Sequence, residues 1–160
     1  MFNLLCIIYT FIDSILCYCQ NSHRNHALLA KILWTLDVIS NGRIELEIGA
    51  GWYEQEYKAY GYDYPSNASR IKQLDESLDI IKAMWTQRKK LLFQVNIIRS
   101  KMWYVILNPC KTSSYCNGWW FRKKYLLRVS AKHADRYNHY FGSPDEMKRK
   151  ISILKSIVLL

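Results

Sequence analysis

The sequence predicts an α/β fold in which helices cover a parallel sheet. Two separate stretches, residues 26–85 and 125–158, each read as helix, strand and helix, and half of the 160 residues are apolar. Strands that alternate with helices at this spacing are typical of βα units on a parallel sheet. A chain of this length and composition can bury a core, so we expect an ordered domain.

The elements of the first stretch are predicted by periodicity and by turn residues. Apolar residues recur at the spacing of an amphipathic helix before Asn41-Gly42, a pair at which helices end. A short strand comes next, followed by a loop rich in Tyr and Trp that we expect to contain a short helix. A second amphipathic helix, capped by Ser66 or Asn67, completes the stretch. The expected ranges are 26–40, 43–48, 52–66 and 66–85.

The second stretch begins with a predicted helix over 125–134 and a predicted strand over 137–141. Ser143-Pro144-Asp145-Glu146 then marks the start of a helix, because Ser caps, Pro fits the first turn and Glu follows three positions after the Ser. Residues 95–123 show no sustained period of 2 or 3.6, so this region is predicted to be irregular.

Residues 1–21 form a separate apolar segment of doubtful fold in which Asp13 is the only charged residue. Residues 1–19 lack the basic start and the cleavage site of a signal peptide. Nineteen residues could just span a bilayer, but Asp13 near the centre would be costly there. A buried strand, or a segment without a fold of its own, is therefore favoured over a membrane anchor.

The net charge of +10 is unevenly distributed along the chain. Residues 22–86 have a net charge of −2, whereas residues 87–160 have a net charge of +13. Such asymmetry can mark a surface that binds nucleic acid or an acidic membrane. A small basic binding protein of that kind is the alternative function, although nucleic acid is not the favoured partner.

The five cysteines include no C-x-x-C pair, and Cys17-x-Cys19 is too tight for the usual zinc spacing. An odd number of cysteines fits a reducing compartment, so we expect a cytoplasmic protein without a disulfide framework. The four histidines show no ligand spacing with Asp, Glu or Cys. We therefore expect them on helix surfaces or in loops, and we predict no metal site.

Several motifs between residues 22 and 93 keep a shared order and spacing. They are Arg24-Asn25-His26-Ala27-Leu28-Leu29-Ala30-Lys31, Thr35-Leu36-Asp37-Val38-Ile39-Ser40-Asn41-Gly42-Arg43, Gly49-Ala50-Gly51-Trp52-Tyr53-x-x-Glu56-Tyr57, Tyr60-Gly61-Tyr62-x-Tyr64-Pro65, Arg70-x-x-x-Leu74-x-Glu76 and Ile81-x-x-Met84-Trp85. Together they resemble the luciferase-like monooxygenase superfamily. Ala134-Asp135-Arg136-Tyr137-Asn138 resembles a later stretch of the same family.

The resemblance implies a (β/α)8 TIM barrel with inserted segments, which binds FMN or a deazaflavin coenzyme of the F420 type at its C-terminal face. It also implies hydride transfer or monooxygenation of a small organic substrate. Such a barrel needs about 300 residues, so residues 22–160 are expected to form a partial barrel that is inactive as a fragment. Its open sheet edges predict aggregation or a homo-oligomer.

Gly49, Ala50, Gly51 and Trp52 are the candidate cofactor-binding residues. Glycines directly after a strand let the backbone approach a ligand closely, and the C-terminal ends of barrel strands carry the active site. The alternative for these residues is a tight turn without a ligand. Glu47 stands where the family usually has Gly. No catalytic residue is assigned, because the family's catalytic residues near its first strands have no counterpart here.

Residues 95–104 and 111–123 are predicted to be translated out of frame. After Phe93-Gln94 the family has Gly-Lys-Tyr-Tyr, and later a proline-rich run with a glycine pair; here Trp119-Trp120 takes the place of that pair. Permitted back-translations of the two stretches, read one base out of step, give G-K-Y-Y-K-I-K-D-V and P-H-P-I-V-M-G-G-G-S-E. Two coincidences at the expected places make a damaged reading frame the leading explanation.

Overall fold

The structure, a computed structural model, describes residues 15–86, 114–117, 123–138 and 143–158. Its strands are β1 (Ile15–Gln20), β2 (Ile44–Gly49), β3 (Ser114–Asn117) and β4 (Arg136–Asn138). A 3-10 turn, Asn21–His23, follows β1. The α-helices are α1 (His26–Ile39), α2 (Glu54–Ala59), α3 (Asn67–Thr86), α4 (Lys123–His133) and α5 (Pro144–Val158).

The four strands form one parallel sheet in the order β1-β2-β3-β4. Helices connect successive strands, as parallel pairing requires. The register brings the last residues of the strands into one row at the C-terminal edge of the sheet. This row consists of Gln20, Gly49, Asn117 and Asn138. The predicted α/β fold with a parallel sheet is confirmed.

The helices of both stretches lie close to their predicted ranges, but two strand predictions need correction. Residues 114–117 form β3 inside the region predicted to be irregular. Its Ser-Tyr-Cys-Asn sequence lacks the periodicity of a strand. The segment is a strand because it pairs with both β2 and β4. The strand predicted over 137–141 begins one residue earlier and is described only as far as Asn138.

Both ends of α1 follow from local sequence. Asn25 Oδ1 accepts a hydrogen bond from Leu28 N over 3.0 Å and caps the start. At the other end, Asn41 and Gly42 have positive φ values of 57° and 76°, and Gly42 N donates to Asp37 O. Asp37 is buried, and its Oδ1 lies 3.3 Å from Ile44 N, so the helix end is tied to the first residue of β2.

The core lies between α1, α3 and one face of β2. Ile44, Leu46 and Ile48 point into it from the strand, as their alternation predicts. Trp85 of α3 donates from its indole Nε1 to the Ala30 carbonyl of α1 over 3.1 Å. Glu47, on the opposite face of β2, is only 1% exposed.

Helix α4 is joined to α3 by a polar network. Lys132 Nζ lies 2.9 Å from Asp75 Oδ1 and 2.9 Å from Asp79 Oδ2, and His133 Nε2 lies 2.7 Å from Asp75 Oδ1. Burial alone would raise the pKa of Asp75, but the hydrogen bonds from Lys132 and His133 outweigh burial and hold that pKa below its usual value. The network ties the second stretch of the chain to the first.

Among the residues that the structure describes, no helix has the length and apolar character needed to cross a membrane. The first fourteen residues of the apolar segment lie outside the described residues. The same holds for 95–113 and 118–122, which contain most of the sequence predicted to be out of frame. The membrane-anchor and reading-frame hypotheses therefore remain predictions.

Candidate functional site

The candidate site lies at the C-terminal edge of the sheet, where two loops leave neighbouring strands. One loop follows β1 and contains the 3-10 turn; the other follows β2 and runs from Ala50 to Ser66 around α2. Gln20 and Gly49, the last residues of the two strands, are paired in the sheet. In parallel barrels this edge carries the active site.

The loop after β2 places the four predicted residues next to one another but in different environments. Gly49 is buried at the end of the strand, and Ala50 packs against the core. Gly51 is half-buried, whereas Trp52 is 48% exposed and its ring lies 5.2 Å from that of Tyr53.

Gly51 is required by the conformation and packing of the loop. Its φ is +77°, in the left-handed region that only glycine adopts freely. A Cβ atom at this position would overlap the Tyr57 hydroxyl oxygen and lie 3.0 Å from Tyr57 Cζ. Packing against Tyr57 therefore accounts for this glycine, in addition to any close approach by a ligand.

Three side chains hold successive carbonyl groups of this loop. Tyr57 Oη donates to Ala50 O over 3.3 Å, Arg70 Nε donates to Gly51 O over 3.3 Å, and Tyr64 Oη donates to Trp52 O over 2.8 Å. We call Tyr57, Tyr64 and Arg70 the clamp.

The clamp is itself packed together. Arg70 also donates to the Pro65 carbonyl and to Asn67 Oδ1, and its guanidinium lies 4.0 Å from the centre of the Tyr64 ring. Tyr57 is fully buried, and burial raises the pKa of its phenol, so the hydroxyl stays protonated and keeps its hydrogen to donate.

The loop after β1 faces the same region. Gln20 Nε2 donates to Glu56 Oε2 over 2.7 Å, which connects the end of β1 to α2. The His23 ring stacks on Tyr62 at 4.8 Å and meets Tyr57 edge-on at 4.3 Å. Burial lowers the pKa of His23, against the opposing effect of Glu56, so His23 is neutral at pH 7.

In the part of the chain that the structure describes, five consecutive residues from the end of β1 each carry a buried polar atom without a hydrogen-bond partner: Gln20 Oε1, Asn21 Nδ2, Ser22 Oγ, His23 Nε2 and Arg24 Nε. Buried polar atoms in folded proteins are normally paired, so such a run calls for an explanation. Donors and acceptors grouped beside the loop after β2 are suited to a ligand with several polar groups. This chemistry fits a flavin or deazaflavin, whose ring system and side chain carry both acceptors and donors.

One side-chain group outside this edge has the composition of a metal site. Potential ligand atoms of Asp75, Asp79 and His133 lie within 4.8 Å of one another. The Lys132 ammonium already pairs with both carboxylates, so the group is more simply a junction between helices. His133 is buried rather than on the helix surface where it was expected, because it packs against α3.

Sequence reasoning identified the loop at 49–52 but missed the residues that hold it. Tyr57, Tyr64 and Arg70 come from different parts of the chain, and no spacing rule connects them. All three belong to motifs that carry the family resemblance, as does Glu56, and that resemblance was the available signal. Gln20 gave no signal.

The comparisons with known proteins agree on one family. The model of the luciferase-like monooxygenase family matches residues 12–99. An FMNH2-dependent dimethylsulfone monooxygenase of Pseudomonas putida is 34% identical over 61 residues, which cover 38% of this chain and 17% of that protein. An F420-dependent glucose-6-phosphate dehydrogenase of Amycolatopsis mediterranei is 34% identical over 62 residues, covering 39% and 19%. A pyrimidine monooxygenase of Acinetobacter baylyi is 32% identical over 124 residues, covering 72% and 31%.

Solved structures show the same fold. An EDTA monooxygenase from Chelativorans matches with a TM-score of 0.78 at 12% identity, over 93% of this chain and 39% of that one. An F420-dependent secondary alcohol dehydrogenase, solved with an F420-acetone adduct, gives 0.73 at 19% identity, over 84% and 40%. The likeness confirms the fold as a partial luciferase-like barrel. The chain spans less than a third of the length of these relatives and about two fifths of these structures.

Proposed function

The chain belongs to the luciferase-like monooxygenase family, and on that basis we propose that the C-terminal edge of its sheet forms part of a binding site for FMN or a deazaflavin coenzyme of the F420 type. Gly49, Ala50, Gly51 and Trp52 are the residues that we expect to contact the cofactor. The observation that carries this proposal is the loop that they form, which leaves the end of β2 with its carbonyl groups held by the clamp.

The relatives support both kinds of cofactor. One of those described above is named as FMNH2-dependent and another as F420-dependent, at the same identity and over nearly the same length. The unpaired atoms Gln20 Oε1 and His23 Nε2 would meet polar groups of either ring system. The proposal therefore covers the flavin and deazaflavin class as a whole.

The proposed reaction of the whole enzyme is hydride transfer or monooxygenation of a small organic substrate. A bound flavin or deazaflavin supplies the redox chemistry, and the protein binds and orients it. This chain's contribution is the loop at 49–52 and the polar end of β1. We assign no catalytic residue.

We propose further that the 160-residue chain alone does not turn over substrate. Its described sheet has four strands, whereas a closed barrel of this family has eight. Glu47 adds a buried carboxylate on the sheet face opposite the core, at a position where the family usually has Gly. The open edges expected of a partial barrel favour self-association, so we expect a homo-oligomer. We expect it in the cytoplasm.

Cofactor binding by the purified chain tests the proposal. FMN or F420 added to the chain should give a saturable change in cofactor absorbance and fluorescence. Ala50→Asp should abolish that change, because it places bulk and negative charge within the loop. Ala59→Asp, at the exposed end of α2, is the matched control and should bind the cofactor as the unchanged chain does.

Absence of binding by the unchanged chain would contradict the proposal, and so would equal binding by both variants. The alternative, a basic protein that binds nucleic acid or an acidic membrane, predicts a different outcome. In that case the chain would bind heparin in a salt-dependent manner through residues 87–160 and would bind neither cofactor.

A further inference from the structure

Three consecutive carbonyl oxygens of the loop, those of Ala50, Gly51 and Trp52, accept hydrogen bonds from the clamp. The clamp is one packed group: the rings of Tyr57 and Tyr64 lie 5.0 Å apart, and the Arg70 guanidinium lies over the Tyr64 ring. Three peptide units in a row are therefore each held through their carbonyl group by a member of one packed cluster of side chains.

The N–H groups of these peptide units point the other way. In a trans peptide the C=O bond and the following N–H bond are antiparallel, and the described residues contain no cis peptide. The N–H groups of Gly51 and Tyr53 accordingly point away from the clamp. Neither of these two N–H groups has a hydrogen-bond partner in the described part of the chain. They are donors that remain available to a ligand.

Arg70 places a buried positive charge behind the same loop. It is only 4% exposed, and no carboxylate pairs with it among the described residues. Its partners are the oxygens of Gly51, Pro65 and Asn67 and the face of the Tyr64 ring, none of which carries a full negative charge. A buried cation without a counter-ion is costly, and an anion nearby would offset part of that cost.

We propose that residues 50–53 bind an anionic group, a phosphate or a carboxylate, through the backbone N–H groups of Gly51 and Tyr53. Backbone N–H groups of neighbouring residues that converge on one point form concave sites suited to anions. Tyr57, Tyr64 and Arg70 are positioning residues, because they hold the carbonyl groups of residues 50–52 and so orient the peptide units that carry these N–H groups. The inference rests on the proposed function in so far as it assigns the anionic group to the cofactor or substrate.

The acidic residues of this segment are already engaged. Glu54 pairs with Lys58 at 2.8 Å, and Glu56 accepts the hydrogen bond from Gln20. Their charges are therefore partly compensated by neighbours. The positive charge of Arg70 has no such compensation, so the electrostatic potential at the loop favours an anion.

Inorganic phosphate is the simplest probe of this site. In a titration of the 15N-labelled chain, the amide signals of Gly51 and Tyr53 should shift in a saturable manner. Tyr64→Phe removes only the hydroxyl that holds the Trp52 carbonyl, and should weaken phosphate binding about fivefold. Tyr62→Phe is the matched control: its hydroxyl binds the His23 carbonyl outside the clamp, and phosphate affinity should be unchanged.

FMN and riboflavin distinguish the source of the anion, because only FMN carries a phosphate. If the site takes the cofactor's phosphate, FMN shifts the Gly51 and Tyr53 signals and competes with inorganic phosphate, whereas riboflavin does neither. Phosphate-dependent shifts without binding of either flavin would support the anion site and contradict the proposed function. The anion site is overturned if these two signals stay fixed while others move, or if both Tyr→Phe variants bind phosphate equally.

Discussion

Gly51→Ala should unfold the loop at the end of β2 and abolish cofactor binding. The new methyl group must adopt a φ of +77°, which costs a non-glycine residue about 1 kcal/mol. It must also displace the Tyr57 ring, since the Cβ would overlap the hydroxyl oxygen and lie 3.2 Å from Cε2. Overpacking of a buried ring adds about 2 kcal/mol. We expect a loss of about 3 kcal/mol in the free energy of unfolding, measured by urea denaturation.

Gly61→Ala separates the two causes. Gly61 has nearly the same φ, +74°, but a Cβ there would meet no atom within 4 Å. This variant should lose only the backbone contribution of about 1 kcal/mol and should still bind the cofactor. Adding Tyr57→Phe to Gly51→Ala should recover part of the loss, because it removes the oxygen that the methyl group overlaps. Equal losses for the two glycine variants would show that the contact with Tyr57 is unimportant.

Replacing the residues of β3 by those that the alternative reading frame encodes should stabilise the chain. The out-of-step reading replaces Tyr115, Cys116 and Asn117 by Ile, Val and Met. In the described sheet β3 lies between β2 and β4, and central strands of parallel sheets are normally apolar. The triple variant Tyr115→Ile, Cys116→Val, Asn117→Met should raise the free energy of unfolding by about 2 kcal/mol. Urea denaturation measures the difference.

A control is needed because added apolar residues can have general effects. Ser152→Val with Ser156→Val makes comparable changes at exposed positions of α5, and should alter stability by less than about 0.5 kcal/mol. A β3 variant no more stable than the original chain would contradict the hypothesis that 111–123 is read out of frame. Nucleotide sequencing across these codons would then decide the matter.

The helices were predictable because their signals are local. Asn41-Gly42 ends α1 through positive φ values that few other residues adopt, and the Ser66 hydroxyl accepts from Ser69 N at the start of α3. Ser143 caps α5 in the same way, through Glu146 N. Each of these signals lies within four residues of the element that it delimits. Correct boundaries therefore needed no knowledge of the tertiary fold.

The clamp and β3 were not predictable in this way. Tyr57 and Arg70 are thirteen positions apart, and only the path of the loop around α2 brings both to the 50–53 backbone. The glycines at 49 and 51 were correctly placed at a strand end, but their sequence did not reveal that Tyr57 fills the space beside Gly51. β3 has no apolar alternation, so its pairing with two neighbours is a property of the sheet rather than of its own residues.

Hydrogen exchange of the purified chain, with and without FMN or F420, shows whether the C-terminal edge of the sheet binds the cofactor. Cofactor binding at the C-terminal edge of the sheet should slow exchange in peptides that cover residues 49–53 and the loop after β1. Peptides from the C-terminal half of α5, a helix that follows β4 at the end of the sheet opposite β1, should exchange as before. Unchanged exchange at 49–53, or protection confined to the basic C-terminal half, would contradict cofactor binding at this edge.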